Sequence, residues 1–209
     1  MKDIIFDLGG VLIDWNPRYL YKKIFASAEE MEWFLTSVCS PVWNAKQDAG
    51  RPFAEGLAQA KAQYPKYAPQ IDDYFLRWEE MLGGPIKGTV QLLRELKYKN
   101  YRIFALSNWS AETFPIAQKK FDFLGLFDGI VLSGEEKMNK PEPEIYKRLL
   151  FRYQLQADNC IFTDDNQDNV SAAKALGIDA ILFTNPEQLH VELIKRGILS
   201  KRPGKNRGG

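Results

Sequence analysis

The sequence predicts an α/β protein: a parallel sheet with helices on both faces and a helical insertion after the first strand. Three observations carry that expectation. Short apolar runs at 4–6, 102–106, 129–132 and 160–163, with a fifth at 180–183, are bounded by turn or cap residues and are too short for buried helices. Segments with helical spacing, near 88–99, 111–121, 142–153, 167–176 and 186–196, alternate with the later runs. The stretch between the first and second runs, 15–85, has another texture, with helical spacing, many aromatics and no convincing strand.

Taken in order, the first strand leads into 15–85 through Asn16-Pro17, an N-cap residue followed by a proline suited to the first helical position. Gly83-Gly84-Pro85 closes the insertion, so residues 1–14 and 86–200 form the sheet-bearing core, 15–85 a helical cap, and two linkers serve as hinges. Residues 201–209, with Lys201, Arg202, Lys205 and Arg207 among Gly and Pro, read as a flexible basic tail. That tail hides the balance of the rest: the net charge is +1, but the first 200 residues carry −3. Such a body offers no field for nucleic acid or a membrane surface, and no apolar run has the ~18 residues of a membrane span. The N-terminus has no long apolar segment of a leader, and Cys39 and Cys160 form neither a disulfide framework nor a closely spaced metal motif. A cytoplasmic chain, monomer or homodimer, is the expectation.

In an open parallel sheet ligands bind beyond the carboxyl ends of the strands, so the residues just after each apolar run matter most. After the first run stands Asp7-Leu8-Gly9-Gly10-Val11-Leu12, after the second Ser107-Asn108-Trp109, beyond the third Lys140-Pro141, and the fourth ends in Asp164-Asp165. If the first and fourth strands are neighbours, three carboxylates meet, and they repel unless a cation lies between them. Hard oxygen ligands with open positions suit Mg²⁺. A carboxylate nucleophile, Mg²⁺, a hydroxyl and a lysine are the components of phosphoryl transfer through an aspartyl-phosphate.

These four motifs, in this order and with Asn169 before Ala172-Ala173, resemble the haloacid dehalogenase-like superfamily over 2–196, in its branch with a helical cap after the first motif. The resemblance implies a Rossmann-like core and assigns roles residue by residue. Asp7 attacks phosphorus and binds Mg²⁺ together with the Gly9 carbonyl, Asp165 and, directly or through a neighbour, Asp164. Ser107 holds the transferred group with Asn108 in support, Lys140 neutralises its charge and orients Asp7, and Gly10 lets the backbone approach the phosphate. One departure is plain: the family's phosphatases usually carry an acid two residues after the nucleophile, where this chain has Gly9. A positioned acid or base is typically worth about 10²–10⁴ in rate. Asp14, at the entrance to the cap, is the nearby candidate to replace it. A subset of sugar-phosphate phosphatases is similar in having Gly there, which implies a small phosphorylated metabolite, such as a sugar 1-phosphate, as substrate.

Lys137, three residues before Lys140, is the alternative lysine. The tryptophans Trp15, Trp33 and Trp78 are expected to pack between helices, whereas Trp43, beside Pro41 in a loop, and Trp109, beside the motif serine, are expected to touch substrate. His190, the single histidine, lies in the last helix, which argues against catalysis by histidine, including a Ser-His-Asp triad. Two other readings remain open: a dehalogenase, against which Asp164-Asp165 argue, and a non-catalytic binding protein on the same fold, motivated by Gly9 and weakened by the retained charge cluster.

Overall fold

The computed structural model describes residues 1–200, so the basic tail at 201–209 lies outside the described residues. Seven strands, β1 (Asp3–Phe6), β2 (Ile13–Trp15), β3 (Leu82–Pro85), β4 (Ile103–Ser107), β5 (Gly129–Leu132), β6 (Cys160–Asp164) and β7 (Asp179–Leu182), are assigned. The helices are α1 (Arg18–Tyr21), α2 (Ala28–Ser37), α3 (Pro41–Asp48), α4 (Phe53–Gln63), α5 (Ala68–Leu76), α6 (Lys87–Tyr98), α7 (Phe114–Lys120), α8 (Ser133–Glu136), α9 (Pro143–Arg152), α10 (Gln167–Ala175) and α11 (Pro186–Lys195). None of these helices is long and apolar enough to cross a membrane.

Five strands form one sheet in the order β5-β4-β1-β6-β7, every neighbouring pair parallel. The chain leaves β1 toward one edge and returns to build the other, so a crevice opens at the carboxyl end of β1. The strands that flank that crevice, β1, β4 and β6, are buried along their whole length, which is why their sequences are continuous apolar runs. Their alternation sorts the core: Ile4, Phe6, Ile103 and Ala105 face one cluster, Ile5, Phe104, Leu106 and Phe162 the other. The first cluster continues without a break into the helical insertion, through Phe34, Phe53 and Tyr74.

Between β2 and β3 the chain forms α1 to α5. Ser27 and Ser40 cap α2 and α3 by accepting from the amides of Glu30 and Trp43, and Pro41 occupies the first turn of α3. Asn16 accepts from the Arg18 amide at 3.0 Å, as a capping residue should, but the helix it opens is only four residues long. Two expectations are corrected here. Residues 82–85, read as a plain linker, are strand β3, antiparallel to β2 with Ile13 opposite Pro85 and Asp14 opposite Gly84. Gly-Gly-Pro has little strand propensity, and the pairing is carried by the backbone of the partner strand and by a close approach that a side chain at 83 would block: its Cβ would lie 2.3 Å from Asp14 Oδ2. Trp43, read as a loop residue, is in α3 because Ser40-Pro41 is a helix start.

Candidate active site

Asp7 is the first residue past β1, and its amide donates to Thr163 O of β6 at 2.8 Å, so sheet register itself fixes it between the ends of β4 and β6. Its Oδ1 accepts from the Leu8 amide and from Ser107 Oγ, both at 2.7 Å, and lies 3.0 Å from Lys140 Nζ. Among the described residues, Oδ2 receives no hydrogen bond. Burial pushes the Asp7 carboxyl up to about 7; Lys140 opposes the rise, the charge of Asp164 adds to it, the Ser107 bond opposes it, and Asp165 adds a little.

Lys140 has a fully buried side chain whose Nζ also reaches Asp164 Oδ2 at 2.6 Å and the Leu106 carbonyl at 2.9 Å. Burial alone would lower this amine, but the charges of Asp7 and Asp164 outweigh it and hold the group above its ordinary value. Asn108 anchors the lysine's backbone from both sides, accepting from the Lys140 amide at 2.8 Å and donating to its carbonyl at 3.0 Å. Asn108, expected in support of the transferred group, lines the cavity and also places Lys140 through both ends of its amide. Lys137 is exposed, so the lysine of the site is Lys140.

Asp164 is wholly buried and accepts from Lys140, the Asn166 amide at 2.8 Å and Asn169 Nδ2 at 3.0 and 3.1 Å. Asp165, next in the chain, is exposed; desolvation and the charge of Asp164 raise its carboxyl, and a bond from its own backbone amide and the charge of Lys140 oppose the rise. Oxygens of Asp7, Asp164 and Asp165 lie within 4.8 Å of one another. Gly10 has φ +73° and abuts this pair so closely that a Cβ there would come 2.1 Å from Asp165 Oδ2. One lysine against three carboxylates leaves a deficit of positive charge, and the donors are all hard oxygens, so the cluster fits a divalent cation held by Asp7 and Asp165, with Asp164 bracing Lys140.

Above this rim lies a cavity of about 270 Å³. Its walls are Trp109 from the core, Trp15 at the end of β2, and Trp78, Phe53 and Asp48 from the segment between β2 and β3, with Gly9, Gly10 and Ser107 at the floor. The Trp109 indole donates to Thr113 Oγ1 at 3.1 Å and stacks at 5.6 Å, tilted, on Trp78. The Trp15 indole nitrogen is buried with no protein acceptor among the described residues.

Trp109 lines the cavity, but Trp43, Trp15 and Trp78 depart from the expectation. Trp43 faces away from the cavity, donating to the Gly56 carbonyl at 3.2 Å and packing edge-on against Tyr74 at 5.0 Å, whereas Trp15 and Trp78 line it. Asp14 is corrected too: it accepts from Tyr19 Oη at 2.7 Å on the outer side of the β2–β3 ribbon and is not a wall residue. Asp48 is, and sequence reasoning missed it. Burial pushes its carboxyl up to about 7, with the Ser110 backbone amide opposing and the charge of Asp7 adding. One local signal marked it: Asp48 ends α3, where an acid opposes the helix dipole, and such a conflict between local preference and fold points to function.

The family model for haloacid dehalogenase-like hydrolases matches residues 4–183. The chain belongs to that family. Among its relatives, the sesquiterpene phosphatase astK of Aspergillus oryzae is 29% identical over 198 residues, covering 92% of this chain and 94% of that protein. A phosphorylated carbohydrates phosphatase of Thermotoga maritima is 23% identical over 183 residues, 87% of this chain and 84% of its own. Of solved structures, a HAD family enzyme of Bacteroides thetaiotaomicron in complex with magnesium and inorganic phosphate superposes with a TM-score of 0.68 at 28% identity, over 88% of this chain and 95% of that one.

Proposed function

We propose that this hydrolase is a Mg²⁺-dependent phosphatase of small phosphate monoesters that works through an aspartyl-phosphate on Asp7. The observation that carries the reading is the one-sided bonding of Asp7: Leu8, Ser107 and Lys140 all converge on Oδ1, leaving Oδ2 as the nucleophilic oxygen. Asp7 Oδ2 attacks phosphorus, the ester oxygen departs, and water later hydrolyses the acyl phosphate. Lys140, held charged by two carboxylates, offsets the charge of the phosphoryl group, and Ser107 Oγ lies within reach of both Asp7 and that group. Asp7, Asp165 and the Gly9 carbonyl would hold Mg²⁺, which when bound screens phosphate from carboxylate. Asp164 serves by fixing Lys140.

The finer reading is a sugar phosphate, a sugar 1-phosphate first, supported by the phosphorylated carbohydrates phosphatase among the relatives. A second reading is favoured by the cavity walls: Trp15, Trp78, Trp109 and Phe53 suit an organophosphate with an aryl or hydrocarbon group, and the similarity to a sesquiterpene phosphatase supports it. Phosphate release from a panel of sugar 1- and 6-phosphates, prenyl phosphates and an aryl phosphate, with Mg²⁺ or with EDTA, separates them. The expected result is release that needs Mg²⁺ and vanishes in Asp7→Asn. Full activity in EDTA, or in Asp7→Asn, contradicts the proposal.

A further inference from the structure

Resting on the phosphatase reading of Asp7, one group is still needed: a donor for the proton that the departing oxygen must receive. The core does not offer it. Ser107 is bonded to Asp7, Lys140 is locked between two carboxylates, and Asp165 belongs to the cation cluster. Among the described residues no histidine, cysteine or tyrosine lines the cavity, and Asp48 is the remaining titratable side chain that does.

We propose that Asp48, carried by α3 of the helical insertion, is the general acid and base of the reaction. Its placement is built rather than accidental. Tyr74 Oη donates to Asn44 Oδ1 at 3.0 Å, and Asn44 Nδ2 donates to Asp48 Oδ2 at 2.9 Å, so one carboxyl oxygen is fixed by a two-link relay. Oδ1 has no side-chain partner among the described residues. The helix end is hooked onto the sheet-bearing core by Ser133 Oγ, which donates to the Asp48 carbonyl at 2.5 Å and accepts from the Trp109 amide at 2.9 Å. Asn139 Nδ2 holds the preceding turn through the Ala45 carbonyl at 2.7 Å. The groups that act on the carboxyl are Asp7 beyond β1, the Ser110 amide beyond β4 and Asn44 on its own helix. Burial pushes the carboxyl up to about 7, with the Ser110 amide opposing and the charge of Asp7 adding, and there a proton is neither too tightly nor too loosely held for transfer.

In the first step Asp7 Oδ2 bonds to phosphorus, the P–O bond to the leaving group breaks, and the Asp48 carboxylic acid gives its proton to that oxygen, releasing an alcohol. In the second, water bonds to phosphorus, its proton passes to the Asp48 carboxylate, and the acyl P–O bond breaks. Phosphate leaves, and Asp7 as carboxylate and Asp48 as acid are restored.

The test compares two substrates with full-length, Mg²⁺-loaded enzyme: glycerol 2-phosphate, whose alkoxide needs a proton to leave, and 4-nitrophenyl phosphate, whose phenolate does not. For Asp48→Asn, kcat/KM on glycerol 2-phosphate is expected to fall about 10²–10⁴-fold. On 4-nitrophenyl phosphate it should fall by less than about tenfold, with a burst of one nitrophenolate per site before slow turnover, because the phosphorylated Asp7 then waits for a base. The wild-type decline of kcat/KM as pH rises through neutrality should disappear in Asp48→Asn. Asp48→Glu, which keeps the acid, should recover part of the glycerol 2-phosphate activity, so a folding defect in Asn is distinguishable. Equal losses on both substrates with no burst, or an unchanged pH profile, overturn the assignment to Asp48. A wild type inert on both substrates and on the wider panel overturns the phosphatase reading instead.

Discussion

Two walls of one cavity are held by opposite physics. On the sheet rim, Asp7, Ser107, Lys140 and Asp164 are fixed by strand register and by a dense set of charge-assisted bonds, four polar side chains with scarcely any solvent contact. Opposite them, α3 presents Asp48 on a helix end that is tied to the core by two side-chain-to-backbone bonds, Ser133 to the Asp48 carbonyl and Asn139 to the Ala45 carbonyl, while the Phe53 amide at the start of α4 donates to Glu112. The first wall is a preorganised electrostatic cradle; the second is a largely aromatic surface that completes it. The reacting charges belong to the strand ends, and the shape and proton supply belong to the insertion.

If that division is right, the two walls respond differently to removal of a charge. Lys140→Met takes the single cation from between Asp7 and Asp164 and leaves both buried and uncompensated, so the largest expected effect on folding is a loss of about 3–5 kcal/mol. Urea unfolding at neutral pH measures it, and a loss below about 1 kcal/mol breaks the picture of a rim built around this lysine. Asp48→Asn should act in the other direction and more weakly. The Asp48 carboxyl titrates higher in the fold than its ordinary value of 3.8, at about 7, so the folded state binds the extra proton. Between those two values wild-type stability therefore declines as pH rises, and above about 7 the cost of the ionised group is fully present. The asparagine variant should melt higher than the wild type at pH 8, with the difference shrinking toward pH 4. A wild type that melts higher at pH 8 places the carboxylate in a better solvated setting than the cavity wall described here.

The same contrast explains what the sequence revealed. Asp7, Ser107 and Asp164-Asp165 were legible because each directly follows or ends a short apolar run, and in a parallel sheet every such run ends on the same rim. Lys140 was legible from its place after β5, although not its burial. The insertion was legible as helical, but its inward face was not. Trp15, Trp43 and Trp78 are alike in sequence, and which of them turns toward the cavity depends on how Tyr21, Phe34, Phe53 and Tyr74 pack the helices together. Asp14 looked well placed by its closeness to Asp7 in the chain, yet strand β2 carries it to Tyr19, while Asp48, 41 residues from Asp7, arrives at the cavity through the packing of α3 on the core. The β2–β3 ribbon escaped notice because Gly83-Gly84-Pro85 has the composition of a turn and becomes a strand only beside its partner.

The proposed chemistry requires that Asp7 become covalently phosphorylated. The direct measurement is an acid quench of enzyme turning over its best panel substrate with Mg²⁺, followed by peptide mass analysis. One phosphoryl group on the peptide containing Asp7, discharged by hydroxylamine and absent from Asp7→Asn, is the predicted result; steady phosphate release from wild type and Asp7→Asn alike, with no modified peptide, would contradict it.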